Sequence, residues 1–372
     1  MNKKSTLFNV FTIYFICMLL FVLIRVLVLV IDIQIDANIL DLITTIIVQV
    51  GIMFLLPIFL YSRFRKKKMK QTFTDFNYSK ISFYSIILSI LIGFLCYFLN
   101  AIVASFFGSI IRLMGYESAP TISTAVSGDY SILSFITNVL FVAILPAICE
   151  ETTHRGLLLK GLSSLGIKNS VIISSLLFGL MHLNINQFFY ATVLGFIIAF
   201  AVIASKNIIP AIIIHFMNNF LSTYFSFARV NNWFGIDLYY FMTGYSSSTN
   251  LVSFFVNNIL ILAILLFAIV FLFTLLLKDN RIKKVKKMLI SIEEINKEYN
   301  NSSELSHNYN LNNLHNLNSL MKEYNIKGLN SMVFTELENR SQKLTAGEII
   351  LIVSCFVIGG LITSFTFIWG LI

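Results

Sequence analysis

Charge is what this sequence has least of. Lysine, arginine, aspartate and glutamate make up 12% of its 372 residues, while 57% are hydrophobic. A soluble domain carries about 25% charged residues, so a water-soluble globular protein is excluded and a polytopic membrane protein is expected. The positive excess, +9 overall, does not build a nucleic-acid face. It collects at the ends of apolar runs, at Lys3 and Lys4, from Arg63 to Lys70, and from Lys278 to Lys287. Lysine and arginine at loop ends mark cytoplasmic faces, and no nucleic-acid partner is expected.

Cysteine is scarce as well. Cys17, Cys96, Cys149 and Cys355 lie in separate apolar segments without metal-ligand spacing, and read as packing residues. The N-terminus starts with a basic pair but has no small-residue cleavage site. Its apolar run is too long for the core of a signal peptide, so it is expected to be kept as the first span.

What the sequence does have is long apolar runs, near 7–31, 39–62, 81–108, 132–159, 169–187, 188–205, 207–226, 251–277 and 347–372. With the basic loops inside, the first eight alternate without contradiction and the N-terminus is cytoplasmic. The expected fold is all-α, a polytopic membrane helix bundle with an eight-span core over 1–278 and a ninth span at 347–372. Between them, 279–346 reads as an Asn-rich cytosolic linker. Ile282, Val285, Leu289 and Ile292 keep an approximate heptad spacing there, which suggests an amphipathic helix lying on the membrane or against a partner protein. His307 and His315 sit among asparagines without acidic or cysteine companions and carry little weight as metal ligands.

Against this background the stretch from Leu145 to Gly161, LPAICEETTHRGLLLKG, stands out. A charge at the centre of a spanning helix costs about 2.5–3.5 kcal/mol, yet Glu150, Glu151, His154 and Arg155 fall within six residues. Glu151 and Arg155 are four apart and can pair on one helix face, which leaves Glu150 without an assigned partner. Further on, FGLMH places Phe178 and His182 four apart, and HFMNN does the same for His215 and Asn219.

Counting at about 1.5 Å per residue from the basic loops puts these groups at similar depth. Glu150 lies about 15 Å from Lys160, His182 about 20 Å from Asn169 and His215 about 14 Å from Lys206. The price of this register is a segment from Ile132 to Lys160 too long for one upright helix, which tilting or a break at Pro146 would accommodate.

The residue types suit amide hydrolysis. A desolvated carboxylate such as Glu150 can take a proton from water and return it to a leaving amine. His182 could orient that water, and His215 and Asn219 could donate to an oxyanion, at about 3–4 kcal/mol for one donor. Two histidines and a glutamate, His182, His215 and Glu150, are also enough ligands for a zinc with an open water position. No His-Glu-x-x-His helix supports that version, so the preferred reading has no cofactor, with zinc as the alternative. Arg25, Asn100 and Asn138 are isolated polar residues in spans, and Arg25 is expected to snorkel outward near Asp32. Asn184, Asn186 and Gln187 read as turn residues that satisfy backbone groups, and Phe178 as packing.

Glu-Glu-x-x-x-Arg, Phe-x-x-x-His and His-x-x-x-Asn, in that order on successive spans, resemble the CAAX protease and bacteriocin-processing family, the Abi proteases related to type II CAAX prenyl endopeptidase. The motifs fall within 130–225. The resemblance implies an intramembrane endopeptidase, glutamate-type or metallo-, with a helical core and a cavity opening toward the cytosol. It implies that Glu150 and His182 activate water, that His215 and Asn219 stabilise the oxyanion, and that Glu151 and Arg155 belong to the site. Thr152, Thr153 and His154 stand where bacterial members commonly carry apolar residues and an aromatic. His154 could reach Glu150 as an extra ligand or a tuning partner, and a plain polar lining of the cavity is the simpler reading.

The expected partners are the lipid bilayer and a membrane-associated peptide or protein substrate, whose binding residues the sequence does not identify. The expected location is a cell membrane. High Ile, Asn, Lys and Phe usage suggests a low-GC bacterium, where leader or bacteriocin-like peptides fit better than prenylated proteins. The alternative function is a non-catalytic scaffold or bacteriocin-immunity protein that keeps the motifs for folding.

Overall fold

A computed structural model describes residues 3–30, 36–116, 129–243, 251–300 and 344–369. Among these the chain is all-helical, a bundle of eleven helices with no strand. Helix α1 spans Lys3–Val30, and α2 runs end to end through Ala37–Ile46, Ile47–Leu55 and Leu56–Arg65. A short α3, Met69–Asp75, leads to α4, Phe83–Leu113. Helix α5 covers Ile132–Leu165, followed by α6, Ile167–Met181, and α7, Ile185–Ser205. Helix α8 is Ile209–Asn231, α9 is Ile236–Thr243, α10 is Leu251–Asn300 and α11 is Ala346–Trp369.

Seven of these, α1, α2, α4, α5, α7, α10 and α11, contain stretches long and apolar enough to cross a membrane. Helix α6 has 15 residues, about 22 Å at the usual rise, and is short of a full crossing. Helix α8 has 23 residues, but His215, Asn218 and Asn219 dilute its apolarity. Helix α10 continues past the apolar stretch, so Ile282, Val285, Leu289 and Ile292 lie on a helix continuous with the preceding span. His307 and His315 lie outside the described residues.

The basic segments meet at one end of the bundle. Lys67 pairs with Asp75, Lys160 donates to Asn77 Oδ1 at 2.6 Å, and Asn207 Nδ2 donates to the Ser79 carbonyl at 2.8 Å. Ser82 and Ser85 both donate to Asp279, which also pairs with Lys283. At the opposite end Asn231 donates to the Tyr130 carbonyl, and the Tyr116 ring stacks on Phe367. This common polarity is the arrangement the loop charges predict.

Two apolar clusters fill the interior. One joins α4, α7, α8 and α10, and the other joins α1, α2 and α11 with the basic half of α5. Helices α5 and α6 contribute to both and hold the space between them.

Small residues let these helices approach closely, as in other membrane bundles. At Gly179 on α6 a Cβ would lie 2.0 Å from Thr192 Oγ1 and 2.8 Å from the Phe188 carbonyl of α7. Gly179→Ala is therefore expected to push α6 off α7 at a cost of about 1–3 kcal/mol or more. Thermal unfolding in detergent reads this directly, and an unchanged midpoint would show that the contact can relax.

Candidate active site

Helix α5 is built around a proline and is not broken by it. Pro146 has no N–H and cannot close a bond to the carbonyl four residues back. The turn before it widens, so that the Leu145 N–H reaches back five residues to Leu140. The Val142 carbonyl, freed by the proline, is taken by Asn219 Nδ2 of α8 at 3.1 Å. Helix α2 repeats the device. Its wide turns run over Ile47–Leu55 just before Pro57, and Thr153 of α5 donates to the freed Met53 carbonyl. A third wide stretch, Thr152–Leu159, follows the glutamates. Wide turns of this kind concentrate at functional sites.

Glu151 is the centre of a buried polar knot. Its Oε2 lies 3.2 Å from Arg155 Nε, and its Oε1 receives Arg155 at 3.3 Å and His215 Nδ1 at 2.8 Å. Arg155 also donates to the Gly195 carbonyl of α7 at 3.0 Å, and its guanidinium sits 4.4 Å from the Phe178 ring centre. One ion pair thus ties α5 to α6, α7 and α8. Arg155 does more than neutralise Glu151.

Phe178 is fully buried and is shared by every imidazole at the site. His154, His182 and His215 meet it edge to face, with centroids 5.0, 5.4 and 5.6 Å away. The aromatic is packing, as its sequence context suggests, and it spaces the three rings. His182 itself caps the end of α6. The next residue, Leu183, has φ +52, a left-handed conformation unusual for a bulky side chain, and its carbonyl accepts Thr366 Oγ1 of α11 at 3.3 Å. The last helix therefore braces the turn that carries His182.

Glu150 is set apart from the knot. Gln49 Nε2 of α2 donates to its Oε1 at 2.8 Å, while the buried Oε2 has no hydrogen-bond partner among the described residues. A carboxylate oxygen held out of water without a partner is costly unless something else uses it.

His154 turns away from this carboxylate. It is completely buried, with Nδ1 3.0 Å from the Glu150 main-chain carbonyl and Nε2 3.1 Å from Tyr14 Oη of α1. A carbonyl can only accept, so Nδ1 carries the hydrogen and the tyrosine donates to Nε2. The imidazole is a brace between α1 and α5. It neither lines a cavity nor binds at the Glu150 side chain.

The structure thus brings Glu150, Glu151, Arg155, His215 and Asn219 together and places His182 beside them across Phe178. Sequence reasoning passed over Gln49, Tyr14 and the Gly195 carbonyl. Gln49 had a signal, as a lone carboxamide in the apolar middle of α2; Tyr14 and a main-chain oxygen had none. Asn100 is no longer isolated. It donates to Asn218 at 2.9 Å, Asn218 donates to Asn219 at 3.1 Å, and the row ends on Val142.

Residues 132–221 match the family model described as type II CAAX prenyl endopeptidase Rce1-like. Over this segment the chain is similar to the CAAX protease family. No curated protein and no solved structure matches it. The matched segment begins with α5 and ends inside α8, two residues after Asn219, so it holds all three motifs. Gln49, which holds Glu150, and Tyr14, which holds His154, come from outside it.

A metal was tested against the same side chains. Among the described residues no three His, Cys, Asp or Glu side chains are grouped as metal ligands. His215 points Nδ1 at Glu151 and Glu150 accepts from Gln49 at Oε1, which leaves His215 Nε2 and Glu150 Oε2 uncommitted.

Proposed function

We propose that this chain is an intramembrane endopeptidase that hydrolyses a peptide bond in a membrane-associated peptide or protein, with Glu150 as the proton carrier. The observation that supports it is the unpartnered, buried Oε2 of Glu150 beside a His215 already oriented by Glu151. Water bound at Oε2 gives up a proton to Glu150 as its oxygen attacks the substrate carbonyl carbon. His215, with Nδ1–H committed to Glu151, presents Nε2–H to the oxyanion that forms. The Asn219 carboxamide has one hydrogen on Val142 and a second to share with that oxygen. His182 holds the water from the other side of Phe178. Glu150 then passes its proton to the amine nitrogen as the C–N bond breaks, leaving a carboxylate and a free amine.

The arrangement keeps charge in balance. Arg155 offsets the charge of Glu151 within their buried ion pair, and Gln49 holds Glu150 from α2. Zinc remains a separate reading of Glu150, His182 and His215, and chelation decides between the two. On the glutamate mechanism, purified protein treated with a strong chelator keeps its turnover, and metal analysis finds no stoichiometric zinc. Loss of turnover restored by added zinc would overturn it.

The test of the function itself is a comparison of membrane peptides from cells making the wild-type chain and cells making Glu150→Gln. Peptides that accumulate uncut only with the variant identify substrates. Identical peptide sets, with a phenotype retained by the variant, would favour the scaffold or immunity reading.

A further inference from the structure

Two side-chain bonds dock α2 onto the glutamate turn of α5. Gln49 Nε2 donates to Glu150 Oε1 at 2.8 Å, and about one turn further along each helix Thr153 Oγ1 donates to the Met53 carbonyl. Residues 49 and 53 share a face of α2, and 150 and 153 a face of α5. The two bonds therefore fix the register, and Gln49 cannot slide past Glu150. Gln49 lies in the wide-turned stretch Ile47–Leu55, and such turns gather at functional sites.

A side chain that only shielded Glu150 would need a donor and nothing else. Glutamine brings an acceptor as well. Gln49 as a residue is partly exposed, yet its Oε1 is buried without a hydrogen-bond partner among the described residues, and so is Glu150 Oε2. Each free oxygen is bonded to the same carbon as the atom that makes the 2.8 Å bond, so the two flank that bond. While Glu150 is ionised both carry only lone pairs and cannot satisfy one another. What they lack in common is a donor of two hydrogens. Buried polar gaps of this kind are filled by water, which bonds to two to four groups.

We propose that Gln49 is a catalytic residue, and that its Oε1 and Glu150 Oε2 together hold the water that attacks the substrate. This rests on the proteolytic reading above and adds to it a residue from outside the matched segment. The water gives one hydrogen to each oxygen, which leaves a lone pair of its own oxygen for the substrate carbonyl carbon. Gln49 also decides where the proton goes. Its Nε2–H occupies Glu150 Oε1, so the proton that leaves the water lands on Oε2 as the new C–O bond forms. The second hydrogen stays on the attacking oxygen, now part of the new carboxyl group, and keeps its bond to Gln49 Oε1. The proton on Oε2 passes to the leaving nitrogen as the C–N bond breaks, and Glu150 is a carboxylate again.

An experimental structure of the full chain, at a resolution that shows ordered water, tests the water position without using activity. Density within hydrogen-bond distance of both Gln49 Oε1 and Glu150 Oε2 is the expected result. No density there, or a water on Glu150 alone, overturns the proposal. Gln49→Met keeps the length of the side chain and removes both donor and acceptor. With a peptide from the comparison of wild-type and Glu150→Gln cells, it is expected to lower kcat about 10–100-fold, the size of one hydrogen bond to a charged group, with KM unchanged. In the Glu150→Gln background the same substitution should cost nothing more, because no proton transfer is left to assist. Unchanged kcat in Gln49→Met, or an equal further loss in the Glu150→Gln background, overturns the catalytic role. Should Gln49→Met not accumulate, the wild-type density carries the test. A wild-type chain that cuts no peptide fails the proteolytic reading instead, and the density then decides the water position alone.

Discussion

Glu150→Gln is expected to lower kcat/KM by about 10²–10⁴-fold, the range for a positioned general acid–base group, with KM little changed. Glutamine keeps the shape of the side chain and can still accept from Gln49 at Oε1. What it loses is the ability to take and return a proton at the position of the unpartnered Oε2. Because the wild-type oxygen is buried without a partner, the variant gives up no hydrogen bond there, and its thermal midpoint should stay level or rise. Turnover of a substrate identified from the peptide comparison, measured beside a melting curve in detergent, reads both quantities. Full turnover in Glu150→Gln would end the mechanism proposed here.

Breaking the Glu151–Arg155 pair should have the largest effect on stability. Both side chains are fully buried, and removing one partner leaves a charge stranded in a low-dielectric interior, typically about 3–5 kcal/mol. Arg155→Met also frees the Gly195 carbonyl and empties the face of Phe178. Glu151→Gln strands the guanidinium and leaves one amide oxygen where two carboxylate oxygens served Arg155 and His215. Each single variant is therefore expected to accumulate poorly and to unfold at lower temperature. The double variant Glu151→Met with Arg155→Met should regain part of the stability, because no unpaired charge is left. It should stay inactive, because His215 has lost its anchor. A single variant that melts like the wild type would show that the pair does not hold the helices together.

The three motifs and their common depth were legible because membrane helices obey simple rules. A charge inside an apolar run is expensive, so its position is informative, and a fixed rise per residue converts sequence distance into depth. The same rules found the Glu151–Arg155 pair from a spacing of four. They failed for Pro146, where a break and a tilt were both open. The helix instead widens its turn and hands the freed carbonyl to Asn219, a solution that depends on a neighbour 77 residues away. They also failed for His154, which sequence distance places beside Glu150. Its ring follows the helix back to a main-chain carbonyl and across to Tyr14.

By itself, then, the sequence determined that this is an all-helical membrane protein, which end of each span is basic, and which polar residues share the level of Glu150. Those are consequences of transfer energy and helical repeat, both local properties of the chain. Only the tertiary structure decided which carboxylate is locked and which is left open, and that Gln49 belongs to the site. Those outcomes depend on side chains from α2 and α8 meeting α5, and pairing between distant segments leaves no periodic trace in the sequence.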